Sequence, residues 1–515
     1  NTLVGFATKA EVKGISAWSL DFDTAEQDRV EEKCEVVDKA FERYKEIQLN
    51  EGEDYQTFRQ AKDELHKRLA ALRDELDVYL AKSYSITDLP KQQKQFAAWK
   101  ASHQPFHWFA EYYGIVHQRG GFDVIIGNPP YVEYSKVKKD YSIGAYSTLD
   151  CGNLYANVME RSGRLLSDSG EFGMIVPLSI CSSERMASLR EWLATSLSGY
   201  YISNFEIFPS KLFEGAFQRV SIVVGSKKSK GKPYVTKLHR WYAVERDWLM
   251  DSMSYTAVLN RSHRSPLLKL KSAEHREILE KMLALKTTLG QNTSTTPSEH
   301  FVFYQEAVNY WTKASTRVPY YKKNGKVEVP AHSRRFYLTS SSLAQRMMGA
   351  TNSSLFYLWY ISLSDGFHLN DSILKEFPLA PAVVSDADLE QLGTQLEKDL
   401  KANAFMTTRN TEAAQIDIEA FKMALSKPII DEIDVVLAAH YGLNEEELDF
   451  IINYDIKYRM GDELEGDGTD DGDSAEPKAT KAKPPKAAAA KKAAKPTLRA
   501  PQGEKPNKQD PDPFV

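Results

Sequence analysis

The chain has 515 residues, 42% hydrophobic and 27% charged, with a formal net charge of −5. That length accommodates two or three domains with a sizeable core, and the absence of a run of about 18 apolar residues excludes a helical membrane span. Three cysteines, Cys34, Cys151 and Cys181, are too few and too scattered for a disulfide frame or a zinc site, so a reducing cytoplasm is expected. The net charge does not advertise a nucleic-acid binder, although the charge is unevenly spread.

From Asp23 to Leu49 the apolar positions Val30, Cys34, Val37, Phe41, Tyr44 and Ile47 fall at helical spacing. Asn50-Glu51-Gly52-Glu53-Asp54 breaks the pattern, and a second stripe follows at Phe58, Ala61, Leu65, Leu69, Leu72, Leu76 and Tyr79. Together they predict an antiparallel helical hairpin over 21–95, closed by Asp88-Leu89-Pro90. It serves either as a packed insertion or as an arm that clamps DNA or a partner.

Over 96–226 the pattern changes to alternating strand and helix. Phe122 to Ile126 is a compact β-branched run, read as a buried parallel strand that Gly127 ends. Asn128-Pro129-Pro130-Tyr131 then stands at its carboxyl end, where open α/β sheets place their ligands. Two prolines fix the backbone, so the Asn128 side chain and the Pro129 carbonyl become rigid acceptors beside an aromatic ring. Two acceptors and one ring suit a planar exocyclic amine.

A mobile loop is expected over Tyr141–Asp150, a helix over Asn153–Leu166, a turn at Asp168-Ser169-Gly170 and a strand over Glu171–Pro177. A helix from Ser183 to Ser196 and strands at Tyr201–Ile207 and Arg219–Gly225 complete the alternation, the last of these ending the domain. Lys227 to Lys232 reads as a linker and domain boundary.

The region 233–382 is mixed, with a helix from Ala273 to Lys286. Tyr320-Tyr321-Lys322-Lys323 and Ser333-Arg334-Arg335-Phe336-Tyr337 interleave cations with aromatics. Lys322, Lys323, Arg334 and Arg335 are therefore candidates for phosphate and base contacts, with ordinary surface as the alternative. Residues 383–460 are expected to be helical: Asp386–Ala402, Glu412–Leu425, Pro428–His440 capped by Gly442, and Glu445–Tyr454. From 461 to 515 an acidic run gives way to Lys, Ala and Pro, the composition of a disordered tail that either solubilises or adds sequence-blind attraction to DNA.

Several blocks together resemble one family. Phe106-His107-Trp108-Phe109, the Asn128–Tyr131 motif with Val132-Glu133, Ala350–Trp359, Ser364–Asn370 and Phe377-Pro378-Leu379 are similar to the large Eco57I-type methylases, N6-adenine DNA methyltransferases with an Asn-Pro-Pro-Tyr motif. The resemblance implies an α/β fold: part of a doubly wound, Rossmann-like sheet of the S-adenosyl-L-methionine (SAM) methyltransferases, here its fourth to seventh strands. A mixed α+β target-recognition region (233–382) and a helical appendix would follow.

Asn1–Phe6 resemble the block closing the third strand, so 1–20 would end an amino-terminal half. The chain would then be a carboxyl-terminal portion without the Gly-rich turn that holds SAM, since Gly120-Gly121 precedes a strand. By the same resemblance Asn128, Pro129, Pro130 and Tyr131 are catalytic, Asn128 and Pro130 border the cofactor, and Tyr131 stacks on an extruded adenine. Phe217, within Ala216–Ser221, supplies a second ring, with Phe213 in reserve; a core phenylalanine is the alternative. No metal is required. Double-stranded DNA and a restriction nuclease or defence-system subunits are the implied partners, with no membrane.

Two rivals remain, the methylase half of a fused type II restriction enzyme and a non-catalytic DNA-recognition fragment. A protein-glutamine methyltransferase is disfavoured by the long extension after Gly225.

Overall fold

A computed structural model describes residues 1–461 except 9, 13–23, 50–54, 145, 216, 229–230, 260, 263, 331 and 412–413, with backbone alone at 24–28, 117 and 118. The tail expected from 461 onward lies, after that residue, outside the described residues.

The hairpin pairs helix α1 (Thr24–Leu49) with α2 (Tyr55–Lys82). Tyr44 meets Phe58 near one end and Arg29 reaches Glu75 and Tyr79 near the other, so the helices run antiparallel. Val30, Cys34, Val37, Leu65, Leu69, Leu72, Leu76 and Tyr79 are buried along the seam. Asp88 does not end the helical region. Its carboxylate caps a further helix, α3 (Leu89–His103), with Pro90 in the first turn, where a missing N–H costs nothing.

Strands β1 (Phe122–Gly127), β2 (Leu166–Pro177), β3 (Gly199–Phe205), β4 (Val220–Ser226), β5 (Tyr234–His239) and β6 (Thr256–Ala257) form one sheet in the order β1-β2-β4-β3-β5-β6. β1 runs parallel to β2, whereas β4 is antiparallel to both β2 and β3. Helices α4 (Leu154–Leu165) and α5 (Ala187–Ser196) make the crossovers, and Gly163 lets Trp192 of α5 close on α4. The architecture is a mixed α/β sheet with packed helices.

Four local expectations are corrected. β1 is parallel but not buried: it is the sheet's edge, and Val124 and Ile126 are 58% and 78% exposed. The turn at 168–170 is absorbed into β2 as an irregularity, because the register jumps from Phe122↔Leu166 to Val124↔Glu171. The strand at 219–225 is not the last, since β5 and β6 join the same sheet beyond the lysine run. The 141–150 loop is pinned rather than mobile. Tyr146 donates its hydroxyl to the Leu3 carbonyl at 2.9 Å, and the Glu160 carboxylate accepts from the backbone and hydroxyls of Ser147 and Thr148.

Beyond the sheet, α6 (Ala273–Ala284) precedes a three-stranded sheet of β7 (Phe301–Gln305), β8 (Ala314–Ser315) and β11 (Ser333–Tyr337). β9 (Tyr321–Lys323) and β10 (Lys326–Val327) join β12 (Ala404–Asn410) and β13 (Gln415–Phe421) in a four-stranded sheet. The helix expected over Glu412–Leu425 is therefore a strand of a hairpin followed by a short 3-10 turn. Thr407, Thr408, Ile416 and Ile418 favour extended backbone, and β9 supplies the missing edge partner.

Helices α7 (Ser341–Asn352), α8 (Ser354–Leu363), α9 (Ala387–Ala402), α10 (Lys427–Tyr441) and α11 (Glu445–Ile452) pack together. α8 is buried on every side. A single apolar cluster runs from Cys151 to Tyr454, through the sheet and these helices. Among the described residues no helix is long and apolar enough to cross a membrane.

Candidate active site

The motif sits where β1 ends. Asn128 and Pro130 are exposed, Pro129 is buried and Tyr131 is half-buried. Among the described residues neither the Asn128 amide nor the Pro129 carbonyl is engaged in a hydrogen bond. Both acceptors are thus unengaged.

Tyr131 is fixed more firmly. Its hydroxyl donates to the Ile175 carbonyl of β2 at 3.0 Å, its ring meets Tyr155 edge-on at 6.4 Å, and burial pushes the phenol pKa up. The loop after it is held as well. Glu133 accepts from Asn153 and Arg185, while Leu154 N–H donates to the Val132 carbonyl at 2.9 Å. Gly152 adopts φ +62°, and a Cβ there would strike Arg185.

The segment between β3 and β4 reaches the same place. Val220 pairs with Pro177, so Phe217 lies three residues ahead of β4, at the carboxyl end of β2 and the motif's end of the sheet. Tyr131 packs against the cluster of Phe205, Leu212, Val220, Trp241 and Leu249. Phe217 is 52% exposed, with Phe208 edge-on at 5.5 Å and the Lys211 ammonium 5.4 Å from its ring. It is a rim residue rather than a core one. Phe213 is exposed too.

The basic candidates do not converge on one strand pair. Lys322 and Lys323 lie in β9, the former 3.8 Å from Asp417. Arg334 and Arg335 lie in β11, in a different sheet. Arg334 pairs with Glu306 and stands 3.8 Å from Asp371, and Arg335 stacks over Phe301 at 5.0 Å.

Two features escaped the sequence reading. Phe208 joins Phe217 at the rim; its signal was an aromatic just past a strand end. Lys136, Lys138 and Lys139 follow the motif closely, are exposed, and form no salt bridge among the described residues; their signal was the Lys-Val-Lys-Lys run itself. The His107 of the upstream aromatic block is a buried link. Its Nδ1 accepts from Phe6 N–H at 3.2 Å and its Nε2 lies 3.0 Å from Asp77 of α2. Burial pushes its pKa down against the pull of that carboxylate. No group of three or more His, Cys, Asp or Glu among the described residues is placed to hold a metal ion.

Residues 18–213 match the family model of the Eco57I restriction-modification methylases. The matched segment contains the hairpin, the motif and the first strands of the sheet. Over 125 residues the chain is 30% identical to a putative type II restriction enzyme and methyltransferase of Methanocaldococcus jannaschii, a match covering 24% of this chain and 10% of that relative. The chain thus spans about a tenth of the length of the curated relative it matches. Among solved structures, the type IIG restriction endonuclease BpuSI is 12% identical, with 64% of this chain and 52% of that one covered at a TM-score of 0.25. The ATP-dependent Type ISP restriction-modification enzyme LlaBIII bound to DNA is also 12% identical, with 55% and 30% covered at 0.29.

Proposed function

We propose that this chain carries the base-capturing and target-recognising part of a site-specific DNA methyltransferase, which moves a methyl group from SAM to N6 of adenine in double-stranded DNA within a restriction-modification or defence system. The supporting observation is the pair of unengaged acceptors, Asn128 Oδ1 and the Pro129 carbonyl, beside a tethered Tyr131 at the carboxyl end of a parallel strand.

The N6 lone pair of adenine is delocalised into the ring, so the amine is a poor nucleophile. Asn128 Oδ1 and the Pro129 carbonyl accept its two hydrogens, which lets the nitrogen pyramidalise. As positive charge builds on nitrogen, these fixed dipoles stabilise the transition state more than the ground state. A base inside a duplex cannot reach the strand end, so it must be extruded at a cost of a few kcal/mol. Stacking on Tyr131 offsets roughly 1–3 kcal/mol of that, and Phe217 closes from the rim. The Tyr131–Ile175 bond keeps the ring from turning with the base.

The residues present fit the acceptor side of a SAM site: Asn128 and Pro130 are exposed at the strand end and would border the cofactor. When bound, SAM supplies the electrophilic methyl. Among the described residues no Gly-rich turn from a strand into a helix precedes β1.

A second reading, the methylase half of a fused type II restriction enzyme, is favoured by the name of the M. jannaschii relative. The deciding experiment follows tritium from labelled SAM into unmethylated mixed-sequence DNA, using this chain alone and this chain with an added amino-terminal segment bearing a Gly-rich SAM turn, with DNA cleavage scored in parallel. Label in adenine N6 supports the proposal. Cleavage alongside it supports the fused enzyme. DNA binding without transfer in either preparation overturns the catalytic reading.

A further inference from the structure

Phe217 is half exposed and its ring meets the rim residues Phe208 and Lys211, so the ends of its loop matter for where it stands. Two residues on, Arg219 is the anchor. Its guanidinium bonds the Glu206 carboxylate at the end of β3, a side chain only 1% exposed, and its flat face lies 5.6 Å from the centre of the Phe367 ring. Phe367 belongs to the 364–370 stretch, which the motif chemistry leaves unused.

That stretch is stiff and close-fitting. Asp365 accepts from the backbone of Phe367 at 2.9 Å and of His368 at 2.7 Å, and from the His368 ring at 2.6 Å. The buried Lys269 ammonium donates to the Ser362 and Ser364 carbonyls at 2.9 and 2.7 Å. Gly366, at φ +84°, approaches so closely that a Cβ would lie 2.6 Å from Glu206 Oε2. On its far side the stretch is bonded to the segment after β7: Leu369 N–H donates to the Glu306 carbonyl and Val308 N–H to that of Phe367, both at 2.8 Å. Glu306 is the residue that holds Arg334.

We propose that Arg219 is a positioning residue for base capture. Clamped between Glu206 and Phe367, it ties the placement of Phe217 to the 364–370 stretch and, through Glu306, to Arg334 on the recognition side. The inference rests on the role of Phe217 proposed above. Contact between Arg334 and DNA competes for the Glu306 carboxylate; the backbone carbonyl of the same residue holds Leu369, so a displacement of Glu306 reaches Phe217 through the Phe367–Arg219 contact.

The test places 4-fluorophenylalanine at position 217 of the full chain and reads its fluorine resonance in wild type, Phe367→Leu, Arg219→Gln and an off-path control, Lys398→Gln. The same proteins are titrated with a mixed-sequence duplex pool carrying 2-aminopurine in place of adenine. The resonance is expected to move in the first two variants and not in the control. Their 2-aminopurine signal should fall about fivefold while duplex affinity stays within about twofold of wild type. Arg219→Lys, which keeps the charge on Glu206 but loses the flat face, should hold the melting temperature and give an intermediate signal. A Phe217 resonance unmoved in both variants, or affinity and signal falling in parallel, overturns the proposal. A wild-type protein that binds the pool without any 2-aminopurine signal overturns base capture itself, while the resonance still decides whether the loop is coupled.

Discussion

Replacing Asn128 by alanine separates chemistry from folding in one substitution. The side chain is exposed and makes no hydrogen bond among the described residues, so its loss should change stability by no more than about 0.5 kcal/mol. Under the proposed mechanism the same change removes one of the two acceptors for the amine hydrogens. Loss of a single preorganised dipole of this kind costs about 10² to 10³ in kcat, on the order of 3 to 4 kcal/mol. The measurement is single-turnover tritium transfer from SAM to mixed-sequence DNA, with a thermal melt of the same preparation. The expected result is an unchanged melting temperature, unchanged DNA affinity and a rate lower by at least two orders of magnitude. Turnover within a few-fold of wild type would refute the acceptor role. So would a melting temperature that falls with the rate, because Asn128 would then be structural.

Tyr131→Phe should cost about 1 kcal/mol of stability by deleting the bond to Ile175 while keeping the ring, whereas Tyr131→Ala should also remove roughly 1–3 kcal/mol of base stacking. The 2-aminopurine signal, set against SAM binding by calorimetry, distinguishes them: only the alanine variant should lose the signal, and neither should lose SAM. Changing Lys136, Lys138 and Lys139 to Gln should lower the slope of log affinity against log salt by about 0.9 for each phosphate these lysines neutralise; an unchanged slope places the DNA elsewhere.

Acid should destabilise the fold through buried histidines, His275 and His239 foremost. Burial, reinforced by Lys271, Lys237 and Lys269, pushes His275 down to about 3, and burial with Lys237 pushes His239 down to about 4. A depressed imidazole pKa means that the unfolded chain binds the proton first. The stability is whole above about pH 6.5 and falls on acidification towards those values, by about 2 kcal/mol for each group at pH 5. His275→Gln should flatten the melting-temperature profile between pH 7 and 5, and an equally steep profile would show that His275 is not its source.

Much of the local structure was legible because it rests on short-range patterning. The hairpin helices followed from the Leu65–Leu69–Leu72–Leu76 stripe, and α10 followed from Pro428 at its start and Gly442 beyond its end. The motif strand and its parallel partner were legible from β-branched runs bounded by glycine and proline. The misreadings came where a distant strand outweighed local preference. Ala404–Asn410 and Gln415–Phe421 pair as strands because β9, some ninety residues upstream, offers an edge to pair with. The 141–150 segment looked mobile from its Tyr, Ser and Gly content, yet Glu160 and the Leu3 carbonyl hold it down.

The sequence by itself marked the candidate site, since Asn128, Pro129 and Tyr131 are close neighbours in the chain and proline stiffens the backbone between them. It did not determine which parts of the chain meet. That β1 would be an edge with Val124 and Ile126 facing solvent, and that Tyr131 would be tied to β2, were decided by tertiary structure. So was the seating of Arg219 between Glu206 and the far more distant Phe367. The reason is physical: strand pairing, burial and ion pairing join groups far apart in sequence, and no local pattern carries the register that brings them together.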